Sequence, residues 1–345
     1  MQLLTFLSAF FAYTAAALSI TPDERTTLTF ELKQWEAFFG AVAARSGFYP
    51  PIQGLSDNDA IDLKLQRLNT SKIRVALLAK KNPHATFSVQ TQFALLSHQE
   101  FKAYVQKSFG KKKQPSRVLK VQTDEALNAT LPTSSVDWTT SKCMPAVKDQ
   151  GECGSCWAFS ATGAAEIGNC IAGGTLYNLA EQQLVDCDSS NYGCDGGDES
   201  EAINRIVSNG GLCLASAYPY TSGLSGNAST CQASCTTQSL PHISYSVNIQ
   251  GESALATALV KQVVTVAVFA GNDAWQYYTG GILSSCTSGE SDHAVIAVGY
   301  GSNYWKVRNS WGASWGESGY IRLSRGTGGN GTCNIAQSPA YPNLV

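Results

Sequence analysis

The sequence predicts an α+β protein in which a small helical unit precedes a larger part that runs from helix into antiparallel strands. Three observations lead there. Apolar residues recur every three or four positions through the N-terminal third. All 11 cysteines lie between Cys143 and Cys333, which sets a composition boundary. Beyond residue 240, short β-branched and aromatic runs alternate with Gly-rich turns.

Taken in order, Leu3, Leu4, Phe6, Leu7, Ala9, Phe10 and Phe11 form an apolar run too short to span a membrane. Ala15-Ala16-Ala17 offers small residues for cleavage, so residues 1–17 read as a signal peptide. Leu28, Leu32, Trp35, Phe39 and Val42 mark an amphipathic helix over 26–45, stopped near Gly47. A second helix is expected from Asp59 to Lys80. Ser97 followed by Glu100 is a capping box that opens a third, with Phe101, Tyr104 and Val105 on its apolar side. The basic, Pro-interrupted run from Lys111 to Arg117 then reads as an exposed linker, open to proteolysis. Residues 18–130 are thus expected to be a cysteine-free helical unit with its linker, and residues 131–345 the larger part. There the pattern places a helix over Cys156–Ile171, ended by Gly173-Gly174, and strands over 263–269, 294–298, 304–308 and 320–323.

Charge divides along the same boundary. Residues 1–130 hold 16 Lys+Arg against 10 Asp+Glu, and residues 131–345 hold 8 against 16. Two parts of opposite sign in one chain attract each other. The net charge of −2 points to no nucleic-acid partner, and no later stretch is long and apolar enough for a membrane span. Cysteine-dense chains belong to oxidising compartments. Asn69, Asn128, Asn227 and Asn330 head glycosylation sequons that a secretory chain can use.

The chemistry concentrates in Gln150-Gly151-Glu152-Cys153-Gly154-Ser155-Cys156-Trp157. Cys-x-x-Cys alone fits a redox pair, half a zinc site or a disulfide participant. Zinc needs a second pair at similar spacing, and Cys231-x3-Cys235 has no nearby histidine. A redox pair belongs in a βαβ pattern that this chain lacks. As a nucleophile, Cys156 has a physical basis: it begins a predicted helix, whose unsatisfied N–H groups and dipole favour a negative sulfur. An odd cysteine count leaves one thiol outside any disulfide.

A thiol nucleophile requires an imidazole beside it. Of four histidines, His84 and His98 fall in the helical unit and His242 in a polar connector. His293 stands at the mouth of a predicted strand, within Ser291-Asp292-His293-Ala294-Val295. Asn309, in Arg308-Asn309-Ser310-Trp311-Gly312, can orient it as a neutral partner, with Trp311 shielding the bond. Gln150 can add its amide to the Cys156 backbone N–H as an oxyanion hole.

These segments resemble those of papain-like cysteine peptidases, in their cathepsin L-like branch. So do Val136-Asp137-Trp138, Gly193-Cys194-Asp195-Gly196-Gly197, Tyr218-Pro219-Tyr220 and Gly319-Tyr320-Ile321. The likeness runs over about residues 131–345. It implies a papain-like two-lobed α+β fold, a helical lobe and an antiparallel β-barrel-like lobe with the cleft between. It also implies peptide hydrolysis through an acyl-enzyme, with Cys156 as nucleophile, His293 as acid/base, Asn309 as orienter and Gln150 with the Cys156 N–H as oxyanion donors. The disulfides it implies are Cys153–Cys194, Cys187–Cys231, Cys286–Cys333 and Cys213–Cys235, with Cys143 and Cys170 left as the fifth pair. Neither metal nor cofactor is implied.

The helical unit more faintly resembles the inhibitory prosegment of the same branch, through Asn69-x3-Ile73, its position and its length. Thr91-Gln92-Phe93-Ala94-Leu95 stands where relatives carry a motif with Asp. The implied partners are protein or peptide substrates and the chain's own propeptide, in a monomer that is secreted or sent to a lysosome- or vacuole-type compartment. On the substrate side, Gly196 and Gly197 can pair with an extended peptide. Asp292 and Trp311 border the cleft. Asp198, with Glu199 and Ser200, takes the place of bulky apolar residues in the P2 pocket, completed by Ala267, Ala294 and Ser338. Either a polar or basic P2 side chain is accepted, or the acids turn into water. A dead scaffold is disfavoured because Cys156 and His293 are both present. No paired histidines mark an exopeptidase loop, and no Gly-x-Ser-x-Gly elbow supports a serine hydrolase.

Overall fold

The computed structural model describes residues 20–109, 135–232, 234–286 and 289–345. The signal run, the Lys111–Arg117 linker, Asn128 and the boundary near Leu131 lie outside the described residues. The helical unit has α1 (Pro22–Arg45), α2 (Asp57–Lys81), a short β1 (Ala85–Phe87) and α3 (His98–Gln106). Helix α1 starts earlier than apolar spacing predicts. Thr21 and Glu24 close a capping box around Pro22, which satisfies backbone donors a turn before the first buried leucine. The Ser97–Glu100 capping box opens α3 with both arms formed, and Phe101 and Val105 are buried beneath it.

The larger part contains β2 (Val136–Asp137), α4 (Cys156–Ile171), α5 (Glu181–Cys187), α6 (Glu199–Ser208), β3 (Gly211–Cys213), α7 (Ser222–Ser225), β4 (Thr237–Ser239) and β5 (Ile243–Asn248). It continues with α8 (Glu252–Leu259), β6 (Val264–Val268), α9 (Asp273–Gln276), β7 (Tyr278–Leu283), β8 (His293–Tyr300), β9 (Tyr304–Arg308), β10 (Tyr320–Ser324) and β11 (Ala340–Leu344). Strands run in the order β1-β7-β10-β9-β8-β6-β11-β5, with β2 beside β8. The sheet does not close into a barrel. Its pairs are antiparallel except for β10 and β7, which meet in parallel at Arg322–Ile282 and Leu323–Leu283. Strands β6 and β8 are buried along their whole length, so their sequences are apolar runs without alternation.

Helix α4 is the hinge between the two lobes. On one side Ala161 and Ala165 pack with Leu184, Ile203, Ile206 and Leu212. On the other, Ala164 and Ile167 pack with Val263, Ile296 and Val298 of the sheet. The helix is buried on nearly every side and is mostly apolar, as in Trp157-Ala158-Phe159 and Ala164-Ala165, with Ser160, Thr162, Glu166 and Asn169 as its buried polar positions. Gly163 allows the closest approach, since a Cβ there would stand 2.6 Å from Ile296 Cδ1. Five disulfides join Cys143–Cys170, Cys153–Cys194, Cys187–Cys231, Cys213–Cys235 and Cys286–Cys333, and Cys156 stands outside them.

The helical unit lies on the sheet lobe. Strand β1 extends the sheet edge by pairing with β7, Ala85 opposite Gly281 and Thr86 opposite Gly280. Gln276 Nε2 donates to the carbonyls of Phe93 and Leu96 at 3.0 and 2.9 Å. Asp273 takes Arg74 at 2.8 Å and His98 Nδ1 at 2.7 Å. The opposite charges of the two parts thus meet at that carboxylate, and Arg45 beside Asp149 and Lys102 beside Asp292 add to the attraction. Both partners of Asp273 are partly exposed, so those pairs contribute little stability. The apolar contact is larger. Phe93, Phe101 and Tyr104 stack around Trp311 at ring separations of 5.2, 5.8 and 6.2 Å. Trp35, by contrast, packs on Phe39 and Tyr49 inside the helical unit.

Candidate active site

Chain segments far apart in sequence meet where α4 begins. Cys156 is its first residue and is fully buried. The backbone N–H of Ala294 on β8 reaches Cys156 Sγ at 3.1 Å, which brings the sulfur against the strand that His293 opens. His293 Nε2 lies 2.8 Å from Asn309 Oδ1. That oxygen also accepts the backbone N–H of Ser310 at 2.8 Å. Because a backbone N–H can only donate, the Asn309 side chain presents oxygen to both. Nε2 therefore carries the imidazole proton, and Nδ1 keeps its lone pair. Nδ1 has no hydrogen-bond partner among the described residues.

Trp311 stacks on the imidazole at 4.7 Å and 21°, and Trp275 meets it edge-on at 6.2 Å. These rings exclude water from the His293–Asn309 bond. Burial pulls the imidazole pKa down to about 4, against a smaller upward effect of the Asn309 bond. Asp292, next in chain, accepts from Ala270 N and Gly271 N at 2.7 and 3.1 Å, yet burial raises its carboxyl to about 6.

Gln150 is held at both ends of its amide. Its Oε1 accepts from Ser310 Oγ at 2.7 Å, and its Nε2 donates to the Cys153 carbonyl at 3.0 Å. One Nε2 hydrogen remains for another acceptor. Ser310 is a hydrogen-bonding neighbour of Gln150 that sequence reasoning passed over, although it sits inside the Asn309–Gly312 motif. A second cluster also went unread: Lys148 lies 2.5 Å from Glu181 and 3.1 Å from Glu166 of α4. Burial raises Glu166 to about 7, with Lys148 opposing. No local pattern marks these three residues, because only the fold brings them together.

Gly196 and Gly197 lie just before α6, and Gly197 N–H donates to the Ser108 carbonyl at 3.3 Å. A backbone carbonyl of the helical unit, in the 3-10 turn Lys107–Phe109, therefore already occupies that donor. Lys107 passes so near Gly154 that a Cβ on that glycine would stand 2.7 Å from the Lys107 carbonyl carbon. Tyr104 buries its phenol beside Asp149, Tyr220, Cys156 and Glu152, and burial first, then those neighbours, raise its pKa.

Asp198 uses its carboxylate as the N-cap of α6, accepting from Ser200 N and Glu201 N at 2.9 and 3.2 Å. Glu199 is buried, so it does not turn into water as one of the two sequence readings allowed. Ala267 and Ala294 are register partners across β6 and β8, both buried, while Ser338 is exposed. Of the sequons, Asn227 and Asn330 are exposed on turns, and Asn69 is half-buried within α2.

Comparison with known proteins places this geometry. Residues 132–343 match the papain family of cysteine proteases. The chain is 42% identical over 324 residues to digestive cysteine proteinase 1 of Homarus americanus, covering 88% of this chain and 97% of that one. It is 41% identical over 261 residues to cysteine proteinase RD21A of Arabidopsis thaliana, 73% of this chain but only 55% of that protein's length. The recombinant stem bromelain precursor superposes with a TM-score of 0.76 at 30% identity, over 92% of this chain and 99% of that one. Procathepsin L 3 of the Tenebrio molitor larval midgut gives 0.72 at 31%, over 92% and 99%. With the family matched over most of its length and precursor structures matched across the helical unit as well, this chain belongs to the papain family of cysteine proteases.

Proposed function

We propose that the chain is a secretory zymogen of a cysteine endopeptidase in which Cys156, His293 and Asn309 carry the reaction. The observation that supports this most is the meeting of the α4 N-terminus with β8, sulfur against Ala294 N and imidazole held by Asn309. His293 Nδ1 takes the thiol proton, and the thiolate attacks the scissile carbonyl carbon, forming a C–S bond. The oxyanion that results accepts the Cys156 N–H and the remaining Gln150 Nε2–H. Collapse breaks the C–N bond, and the leaving amine takes the proton from the imidazolium. Water, deprotonated by His293, then attacks the acyl-enzyme and releases the acid and the thiol.

Asn309 acts by position, not by charge. Asn309→Ala is expected to lower kcat by about 10–100-fold with residual activity, and His293→Ala by about 10²–10⁴-fold or more. Steady-state kinetics of the processed variants tests this. Equal, wild-type rates in both would require another base.

The helical unit is the inhibitor in cis on this reading: Ser108 takes the Gly197 N–H that a substrate backbone would use. His293 is buried beneath Trp311 and Trp275, and the helical unit packs its rings on Trp311; on this reading the unit completes that burial, and an opened cleft returns the imidazole toward its ordinary range. Between pH 6.5 and about 4 the open form therefore binds more protons than the closed form. Acid thus favours opening, by up to about tenfold per pH unit. In a Cys156→Ala full-length chain, hydrogen-exchange protection over residues 85–96 should fall across that window. Adding His293→Gln should flatten the fall; an unchanged slope would remove His293 as the group responsible.

The cysteine-rich catalytic part, five disulfides and the apolar N-terminal run support a secretory route, ending outside the cell or in a lysosome- or vacuole-type compartment. No helix among the described residues is long and apolar enough to cross a membrane. The substrates are proteins or peptides bound in extended form along Gly196-Gly197.

A further inference from the structure

The loop from Gln150 to Cys156 is tied at both ends to one phenol. Tyr220 Oη lies 2.8 Å from the Gln150 carbonyl and 2.7 Å from Ser155 Oγ. A carbonyl only accepts, so the phenol gives its single proton to Gln150, and the Ser155 hydroxyl must donate to Tyr220. The direction of this short chain, Ser155 to Tyr220 to Gln150, is therefore determined.

Ser155 is the N-cap residue of α4. A serine there ordinarily turns its oxygen onto the second or third helical N–H. Here it makes no such bond, and its hydroxyl is held by Tyr220 instead. The Ser155 hydroxyl therefore caps no N–H of the first turn of α4; only its carbonyl does, taking the Ala158 N–H at 2.9 Å. The rest of the loop is backed by the same turn. Glu152 N donates to the Gly223 carbonyl at 2.9 Å, and at Gly151 (φ +57°) a Cβ would stand 2.3 Å from that oxygen. The Tyr220 ring meets Phe159 of α4 edge-on at 4.9 Å, which fixes the phenol against the helix. Burial raises its pKa, so it remains a neutral donor.

We propose that Tyr220 is a positioning residue for the oxyanion hole: through Ser155 it sets the Ser155–Cys156 peptide N–H, and through the Gln150 backbone it sets the root of the Gln150 amide. This rests on the reading of those two groups as oxyanion donors. Tyr220 touches neither substrate nor sulfur on this account.

The test compares Tyr220→Phe, Ser155→Ala and Gln150→Ala in the acid-processed enzyme. Loss of the phenol hydroxyl should lower kcat about tenfold, the effect of one or two hydrogen bonds, with KM within about twofold. The inhibition constant of a peptide aldehyde, whose thiohemiacetal oxygen occupies the oxyanion position, should rise by the same factor. Alkylation of Cys156 by iodoacetamide needs no oxyanion hole, so its rate and pH profile should stay unchanged. Ser155→Ala should give a smaller loss of the same pattern, with no further loss when added to Tyr220→Phe.

A general packing role for Tyr220 would move alkylation together with turnover, and that result overturns the inference. If Gln150→Ala lowers kcat and aldehyde affinity while Tyr220→Phe and Ser155→Ala do not, the inference fails alone. If Gln150→Ala changes neither, the oxyanion reading falls and takes this inference with it.

Discussion

Replacing Cys156 by alanine is expected to abolish peptide hydrolysis, a loss of about 10⁴-fold or more in kcat, while leaving the fold intact. The physical case combines three features of one atom. The sulfur is the first side chain of a buried helix, so backbone N–H groups and the helix dipole favour its anion. It accepts the Ala294 N–H, which favours the anion further. His293, with Nε2 committed to Asn309, offers Nδ1 as the base. The other ten cysteines are held in disulfides, so a thiol-directed peptide probe should label Cys156 alone. Alanine fills less space than cysteine, and a cavity of one sulfur at a cleft should cost little stability. Peptide mass mapping and thermal unfolding of the variant test both halves. Substantial turnover by Cys156→Ala would remove the mechanism.

The second large effect concerns the helical unit. Phe93→Ala should let the full-length chain hydrolyse a small peptide at neutral pH without processing. Phe93 is fully buried and has rings on every side: Phe48 at 4.8 Å, Phe101 at 5.1 Å, Tyr104 at 5.5 Å and Trp311 at 5.2 Å. Removing such a ring typically costs about 3–5 kcal/mol. Part of that falls on the unit's own packing and part on its grip on Trp311, and both weaken closure. A loss of about 3 kcal/mol multiplies the open population by roughly 10². Arg74→Ala, which removes one partly exposed ion pair to Asp273, should change it only a few-fold. The readout is initial rate against time of the intact precursor, with the processed N-terminus mapped between Gln114 and Pro132. A Phe93→Ala precursor as silent as the parent at neutral pH would show that the aromatic cluster does not hold the cleft shut.

Much of this protein is set by local chemistry and so is legible in the chain. The Ser97–Glu100 box, the Cys156–Ile171 helix and the strands around 264–268, 293–300, 304–308 and 320–324 follow from caps, periodicity and burial over a few residues. The motifs around Gln150–Cys156, His293 and Asn309 are legible for the same reason, because each holds its chemistry within a short span. What only the tertiary structure decides are relations between spans. The Asn309 side-chain oxygen faces His293 because it also accepts the Ser310 N–H. Glu199 is buried because α6 begins there on the Asp198 cap. Trp35 belongs to the helical unit's own core, and Phe93 does the gripping, although both read alike as apolar positions. Tyr220 reaches Gln150 and Ser155 across 70 and 65 residues of chain. Periodicity shows that a side chain is buried or polar, but its partner is chosen by packing between lobes, and that choice is a property of the folded chain alone.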